Sequence, residues 1–411
     1  MIAKNKIESY SSLLLYSGFV ILIAVTVLNG NPPLFDEVLF ISNISLFEEY
    51  GLSKDFLLKM QDQAPGPLYQ LIHYPVSLVA GIQAPWFRLV NIVGLLLITA
   101  TIYLINKQNA GKKAWKMALL IIAVPMIWQV SGMALTEIPA MLMSIISAFC
   151  ATYALTSGVK PRARAALFVL SGLFLGLAIL GRSTFLALFA AYLLLFIYYR
   201  DPLILLALGI AAAICLPVFH IWGDLMPPAQ QYIGSGGVRV WFGILAFAYM
   251  GVVMLIIAPK WFVISKPALW AAGLFFLFFT VLNYLFFQST YAPLSVFLGK
   301  FLGPNLMTVY SYMISGALAA LAFYFLLSSA FRLYAQRRDP VFVFFTCAAL
   351  LMLATCFKIS HLFSSRYVAQ AIVFILPALP GYEDIHVSKP ARLVLGMAIG
   401  FISLNTYAKI I

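Results

Sequence analysis

Apolar runs long enough to cross a bilayer recur from one end of this chain to the other. That recurrence limits its fold more than any other feature. The runs fall at about 11–28, 89–105, 115–131, 137–156, 165–181, 184–199, 202–221, 239–257, 267–287, 309–330, 340–357, 367–382 and 391–408. A transmembrane helix needs about 20 predominantly apolar residues. The runs are continuous rather than alternating, which excludes a transmembrane barrel. Only 9% of the residues are charged and 63% are hydrophobic, against roughly 25% charged in a soluble domain. The expected fold class is an all-α polytopic membrane protein of about thirteen transmembrane helices, one membrane domain over residues 1–411 with no internal repeat. The first run follows Lys4 and Lys6 and ends at Asn-Gly-Asn-Pro-Pro, without a small-residue cleavage site. It therefore reads as a retained first helix.

One further apolar stretch, "PGPLYQLIHYPVSLVAG" (65–81), decides the topology. If it does not cross, the basic loops fall on one side: Lys4 and Lys6; Lys107, Lys112, Lys113 and Lys116; Lys160, Arg162 and Arg164; Arg200; Lys260 and Lys266; Arg332, Arg337 and Arg338; Lys389 and Arg392. If it crosses, the "NKQNAGKKAWK" and "VKPRAR" loops land outside, against the positive-inside rule. The stretch also carries Gln70, His73, Tyr74 and Ser77 at i, i+3, i+4 and i+7, one face of a helix interrupted by Pro75. A short amphipathic helix on the outer surface is expected there. The N-terminus is then inside, the C-terminus outside, and 29–88 is an external loop with juxtamembrane helices.

The external face then collects a distinctive set. Asp36, Glu37, Glu48, Glu49, Asp55 and Asp62, six of the 13 acidic residues, lie in 29–64. Glu137 follows in "MALTEIPA" and Arg182 in "LGRSTF"; later external loops carry Asp224, Arg239, Lys300, Lys358, His361 and Arg366. The net charge of +13 raises nucleic acid as a partner. Its placement in one set of loops points instead to cytoplasmic loops and anionic membrane lipids, with no nucleic acid. Cys150, Cys215, Cys347 and Cys356 all sit inside apolar runs and read as buried small hydrophobes.

Carboxylates and cations gathered at one membrane face suit a lipid phosphate as substrate. A polyprenyl-phosphate sugar has an apolar tail for a lipid-facing groove and a phosphate for Arg or Lys. Its leaving group is already a phosphate, so one carboxylate acting as base on an acceptor hydroxyl suffices, with inversion. The acceptor would be a lipid or a glycan.

The ordered series "FDEVLF", "APGPLYQL", "RLVNIVGLLL", "ALTEIPAMLMSIISAF", "GLAILGRSTFLAL" and "SSRYVAQAIVFILPAL" resembles the GT-C superfamily of polyprenyl-phosphate-dependent membrane glycosyltransferases. The similarity extends to dolichyl-phosphate-glucose glucosyltransferases, the aminoarabinose transferases of lipid A and the protein O-mannosyltransferases. It is fair over the first half of the chain and weak over the second. The resemblance implies a glycosyltransferase working at the external or lumenal face, in the cell envelope or the ER lumen. It places the catalytic carboxylate on Asp36 and a second functional acid on Glu137, and it implies juxtamembrane helices over 37–50 and 65–81. No large soluble domain follows the last run, which sets the chain apart from oligosaccharyltransferase-like members. No His-rich metal signature is present, so a divalent cation stays an open candidate as cofactor.

Each residue also has a plainer reading. Asp36 could be a solvated carboxylate at a helix N-terminus, favoured by the dipole. Glu37, about 100° away on a helix, could be its partner, a metal ligand or neither. Glu137 begins a helix with Thr136 as candidate N-cap. Arg182, Lys300, Lys358 and Arg366 are candidates for the donor phosphate. Arg182 stands out because an arginine near hydrocarbon is costly unless paired; the lysines could simply snorkel. Asp62, Tyr69, His73 and Arg88 are supporting candidates: Arg88 is placed to pair with the acidic loop, His73 reads as a surface residue, and Tyr69 and Trp86 as interfacial anchors. Asn43-Ile-Ser45 is a glycosylation sequon. The competing functions are a transporter or flippase of lipid-linked sugar and a lipid-linked glycan ligase. A transporter places ionisable groups near the midplane in repeated halves; this chain keeps them at the ends of its apolar runs.

Overall fold

The computed structural model describes residues 2–60, 66–156, 158–231, 237–291, 298–359, 362–382 and 386–408. Asp62 and His361 lie outside the described residues. Seventeen α-helices are described: α1 (Ile2–Leu28), α2 (Asp36–Tyr50), α3 (Lys54–Lys59), α4 (Leu68–Ala80), α5 (Trp86–Ala110), α6 (Ala114–Leu119), α7 (Pro125–Gly132), α8 (Glu137–Ala154), α9 (Pro161–Gly181), α10 (Leu188–Tyr199), α11 (Pro202–Trp222), α12 (Val240–Ile257), α13 (Lys266–Leu282), α14 (Pro304–Ala335), α15 (Pro340–Ala354), α16 (Arg366–Ile375) and α17 (Lys389–Ala408). Short 3-10 turns join several of them, and a π-turn extends α13 to Phe287.

Ten of the helical stretches are long and apolar enough to cross a membrane, so the chain is an integral multi-pass membrane protein. The remaining three of the thirteen apolar runs differ from plain spans. The run at 115–131 is a helix pair, Ala114–Ala123 and Pro125–Gly132, bent by 78°. Ser183–Tyr199 and Arg366–Ala378 are apolar but shorter. Among the described residues the count by length is therefore ten, or eleven with the bent pair. Within the stretch at 65–81, Leu68–Ala80 form α4, which is too short to be among the spans. Pro75 lies inside this continuous helix rather than interrupting it.

Charge sorts to the two ends of the bundle. At one end Lys116 pairs with Glu8 at 2.8 Å and Arg164 with Asp201. Arg332 Nη2 donates to the Lys260 carbonyl at 2.7 Å, Arg392 to that of Ile256, and Tyr198 to that of Arg337. Asp201 and Asp339 are spent there as N-caps of α11 and α15. At the other end the C-termini of α1 and α17 meet, where Asn31 donates to the Ala408 carbonyl at 3.0 Å. The C-terminus of α11 joins α3 there, through Trp222 Nε1 and the Leu57 carbonyl at 2.8 Å.

The bend at 124–125 follows from the sequence. Pro125 lacks an N–H and pushes the residue before it out of helical geometry; Val124 sits at φ −87°, ψ 116°. Non-helical backbone at membrane depth survives only where protein satisfies its polar groups. Every residue from Met117 to Leu142 is buried, and Trp128 Nε1 donates to the Ile122 carbonyl at 2.8 Å. Helix α17 covers this break with a small-residue pair four apart, Gly396 and Gly400. A Cβ on Gly396 would lie 2.1 Å from the Ala123 carbonyl oxygen, and one on Gly400 2.3 Å from the Trp128 ring. Gly396→Val is accordingly expected to destabilise the protein by about 1–3 kcal/mol through overpacking. Thermal unfolding in detergent checks this, with Gly209→Ala, a glycine with open space around it, leaving the midpoint little changed.

Candidate functional site

The loop after α1 enters α2 through Phe35, whose φ of 51° and ψ of −129° are unusual for a non-glycine residue. Such a conformation costs on the order of 1–3 kcal/mol and persists only where its surroundings impose it. The surroundings here are Glu37. Its Oε1 accepts from Arg88 Nε at 2.9 Å and from the Ala134 amide at 2.8 Å. Its Oε2 accepts from Arg88 Nη2 at 2.8 Å and from the Leu34 amide at 3.0 Å. Arg88 also donates to the carbonyls of Asn29 and Pro32, both at 3.2 Å. Both side chains are 0% exposed. Glu37 is thus a fully occupied structural acceptor, with no lone pair left for a metal or a substrate. Arg88 pairs with the acidic loop, as its position in the sequence implied.

Three residues further along α5, Asn91 shares that helical face. Its Nδ2 donates to the carbonyls of Met133 and Leu135 at 2.8 Å and of Val130 at 3.2 Å. These carbonyls belong to the end of α7 and the turn beyond it, where the helix leaves them without intrahelical donors. Between them Glu37 and Asn91 fix residues 133–135, and the next two residues are Thr136 and Glu137. Asn91 was missed by sequence reasoning; its position in "RLVN", one turn from Arg88, was the available signal.

Glu137 opens α8 and Arg182 closes α9, the next helix in the chain. A carboxylate at a helix N-terminus and a cation at a C-terminus each oppose the local dipole charge. Arg182 Nη1 lies 2.7 Å from Glu137 Oε1 and 3.0 Å from Thr136 Oγ1. Thr136 therefore accepts from Arg182 rather than capping α8. Glu137 is wholly buried, and among the described residues its Oε2 has no hydrogen-bond partner. Arg182 also packs over the Tyr367 ring, 5.5 Å from its centroid. Gly66 packs against the same end of α9: a Cβ there would lie 2.4 Å from the Leu180 carbonyl oxygen.

Arg366, the first residue of α16, joins the two acids. Its Nη2 is 2.7 Å from Asp36 Oδ2, and its Nε is 3.9 Å from Glu137 Oε1 and 3.2 Å from Ser364 Oγ. The site is therefore a chain of alternating charge, Asp36–Arg366–Glu137–Arg182, drawn from the starts of α2, α8 and α16 and the end of α9. Asp36 is its most open member, with 39% of its side chain exposed. Ser364 and Tyr367 were also missed, although each adjoins Arg366, and Thr136 was read only as a helix cap.

The other expectations fare differently. Lys300 and Lys358 are exposed, at the turn before α14 and at the end of the 355–358 turn, and among the described contacts neither joins the charge chain. His73 is buried, not a surface residue, and its ring stacks on Tyr69 with centroids 3.8 Å apart. Burial pushes its imidazole down to about 4, so it is neutral near pH 7. Tyr69 is likewise buried rather than an interfacial anchor, while Trp86 is exposed. The polar face of α4 turns inward, with Gln70 and His73 buried, and Leu78 and Val79 turn outward. Where the surroundings are hydrocarbon, the apolar face is the one that belongs outside. Asn43 of the sequon is also buried and donates to the Leu39 carbonyl. Among the described residues no three His, Cys, Asp or Glu side chains converge.

No family model and no curated protein matches this chain. Two solved structures of ArnT from Cupriavidus metallidurans are similar, one in the apo state and one bound to undecaprenyl phosphate. They are 14% and 13% identical, with a TM-score of 0.49 each. The alignments cover 97% and 96% of this chain and 77% of the ArnT chain.

Removing one member of the buried pair is expected to be strongly destabilising. Arg88→Ala leaves Glu37 buried without its cation and should cost about 3–5 kcal/mol. Thermal unfolding of the purified protein reads this out; a midpoint equal to that of the wild type contradicts it.

Proposed function

We propose that the protein is a glycosyltransferase that moves a sugar from a polyprenyl-phosphate donor to a lipid or glycan acceptor. The observation that carries this reading is the convergence of Asp36, Arg366, Glu137 and Arg182 at one bundle end, opposite the end where Lys116, Arg164, Arg332 and Arg392 gather. By the positive-inside rule the Lys/Arg-rich end is cytoplasmic. The site then faces outside, towards the periplasm, the extracellular space or the ER lumen, and residues 29–88 form part of it. The GT-C-like order of the motifs supports the same assignment, because each of the paired residues lies in one of them.

In this reading Asp36 takes the proton from the acceptor hydroxyl as its oxygen attacks the anomeric carbon. The bond from that carbon to the phosphate oxygen breaks, and its electron pair leaves with the polyprenyl phosphate. Attack opposite the leaving group inverts the configuration. Arg366 and Arg182 hold the phosphate and balance the charge that grows on it. Glu137 keeps the two guanidinium groups in place. Lys300 and Lys358 are proposed as further cations for the phosphate. No step runs through a metal. Among the described residues the charged groups of the spans sit at helix ends rather than at mid-depth, which a transporter site would not favour.

Asp36→Asn is expected to lower transfer by about 10²–10⁴-fold, the usual worth of a general base, without loss of folded protein. Radiolabelled sugar carried on undecaprenyl phosphate, followed into lipid and glycan fractions of membranes bearing each variant, measures this. Transfer at the wild-type rate by the Asn variant would sink the mechanism.

A further inference from the structure

The proposed base, Asp36, is paired with a cation. Asp36 Oδ2 lies 2.7 Å from Arg366 Nη2. A lone pair engaged by a guanidinium N–H is not available to an acceptor hydroxyl. The same arginine is the natural ligand for a lipid phosphate, since a guanidinium fork matches phosphate oxygens in pairs. One arginine therefore has two anionic claimants, and the two uses exclude each other at that N–H.

We infer that Arg366 is an exchange cation: an arriving lipid phosphate takes it from Asp36, and that transfer both seats the donor and frees the base. The inference rests on the proposed lipid-phosphate reading of the site.

Three features of the geometry support the exchange. The set Asp36, Glu137, Arg182 and Arg366 carries two negative and two positive charges, so it has no surplus cation for a phosphate until a carboxylate gives one up. Glu137 is not the one to yield. It is wholly buried and held by Arg182 at 2.7 Å, while its approach to Arg366 is long at 3.9 Å. Asp36 has the more open side chain, 39% exposed against 18% for Arg366, so water can take it once the cation leaves. Finally, Arg366 begins α16, at the positive end of that helix dipole. A cation there depends on anions around it, so only another anion can replace Asp36.

The exchange makes a prediction opposite to that of a simple binding carboxylate. Removing the charge of Asp36 should tighten phosphate binding, because the phosphate no longer competes for Arg366. The probe is farnesyl phosphate, titrated calorimetrically into the full-length protein in detergent, with farnesol as the uncharged control. Asp36→Asn should bind farnesyl phosphate about 5-fold more tightly, the worth of a half-exposed ion pair. Asp36→Ser should tighten it similarly, and farnesol binding should not change. In the Arg366→Gln background, where binding is weakened, Asp36→Asn should bring no further gain. Equal or weaker binding by both Asp36 variants, with farnesyl phosphate still bound through Arg366, overturns the exchange and leaves the lipid-phosphate reading standing. Farnesyl phosphate that fails to bind the wild type and both variants overturns the two together.

Discussion

The Arg88–Glu37 pair, sealed from water on both sides, is the contact on which the rest of the site depends. A buried ion pair is a poor source of stability, because desolvating two charges costs as much as their attraction returns. What it supplies here is position. Four hydrogen bonds on the two Glu37 oxygens tie three separate pieces of chain together: the loop after α1, the start of α5 and the turn before α8. One residue before Glu37 is Asp36, and three residues after Ala134 is Glu137. The distance between the two acids of the site is thus set by a structural carboxylate that lies in neither role.

The same turn shows how the membrane setting shapes the polar chemistry. Helix α7 ends inside protein, so its last carbonyls need donors that lipid does not provide. Asn91 supplies them from one turn below Arg88. Holding the backbone and holding the site are therefore one task performed by one face of α5. The arginines follow the same logic. Arg182 is affordable near the membrane because Glu137 and Thr136 receive it, and Arg366 because Asp36 and Ser364 do.

The helices and the separation of charge to two ends were legible in the sequence, since both follow from apolar length and from the placement of lysine and arginine. The shortness of α4 and the pairing of Arg88 with the acidic loop were legible too. The division of labour within "DE" was not. Two adjacent acids differ by about 100° around a helix, but only the packing shows that Glu37 points into protein and Asp36 towards the open side. His73 shows a second blind spot. A polar stripe marks the wet face of a helix when the surroundings are water, and the inward face when they are lipid; the stripe reads the same in both. The long-range partners, Asp36 with Arg366 and Glu137 with Arg182, leave no spacing signal at all, because they are joined by tertiary contact rather than by helical period.

The most direct measurement is a density map of the full-length protein in a lipid nanodisc with undecaprenyl phosphate bound. The account predicts the phosphate within hydrogen-bonding distance of Arg366 and Arg182, Asp36 separated from Arg366, and the Glu37–Arg88 pair unchanged. A phosphate remote from Arg182, Lys300, Lys358 and Arg366, with Arg366 still seated on Asp36, would contradict it.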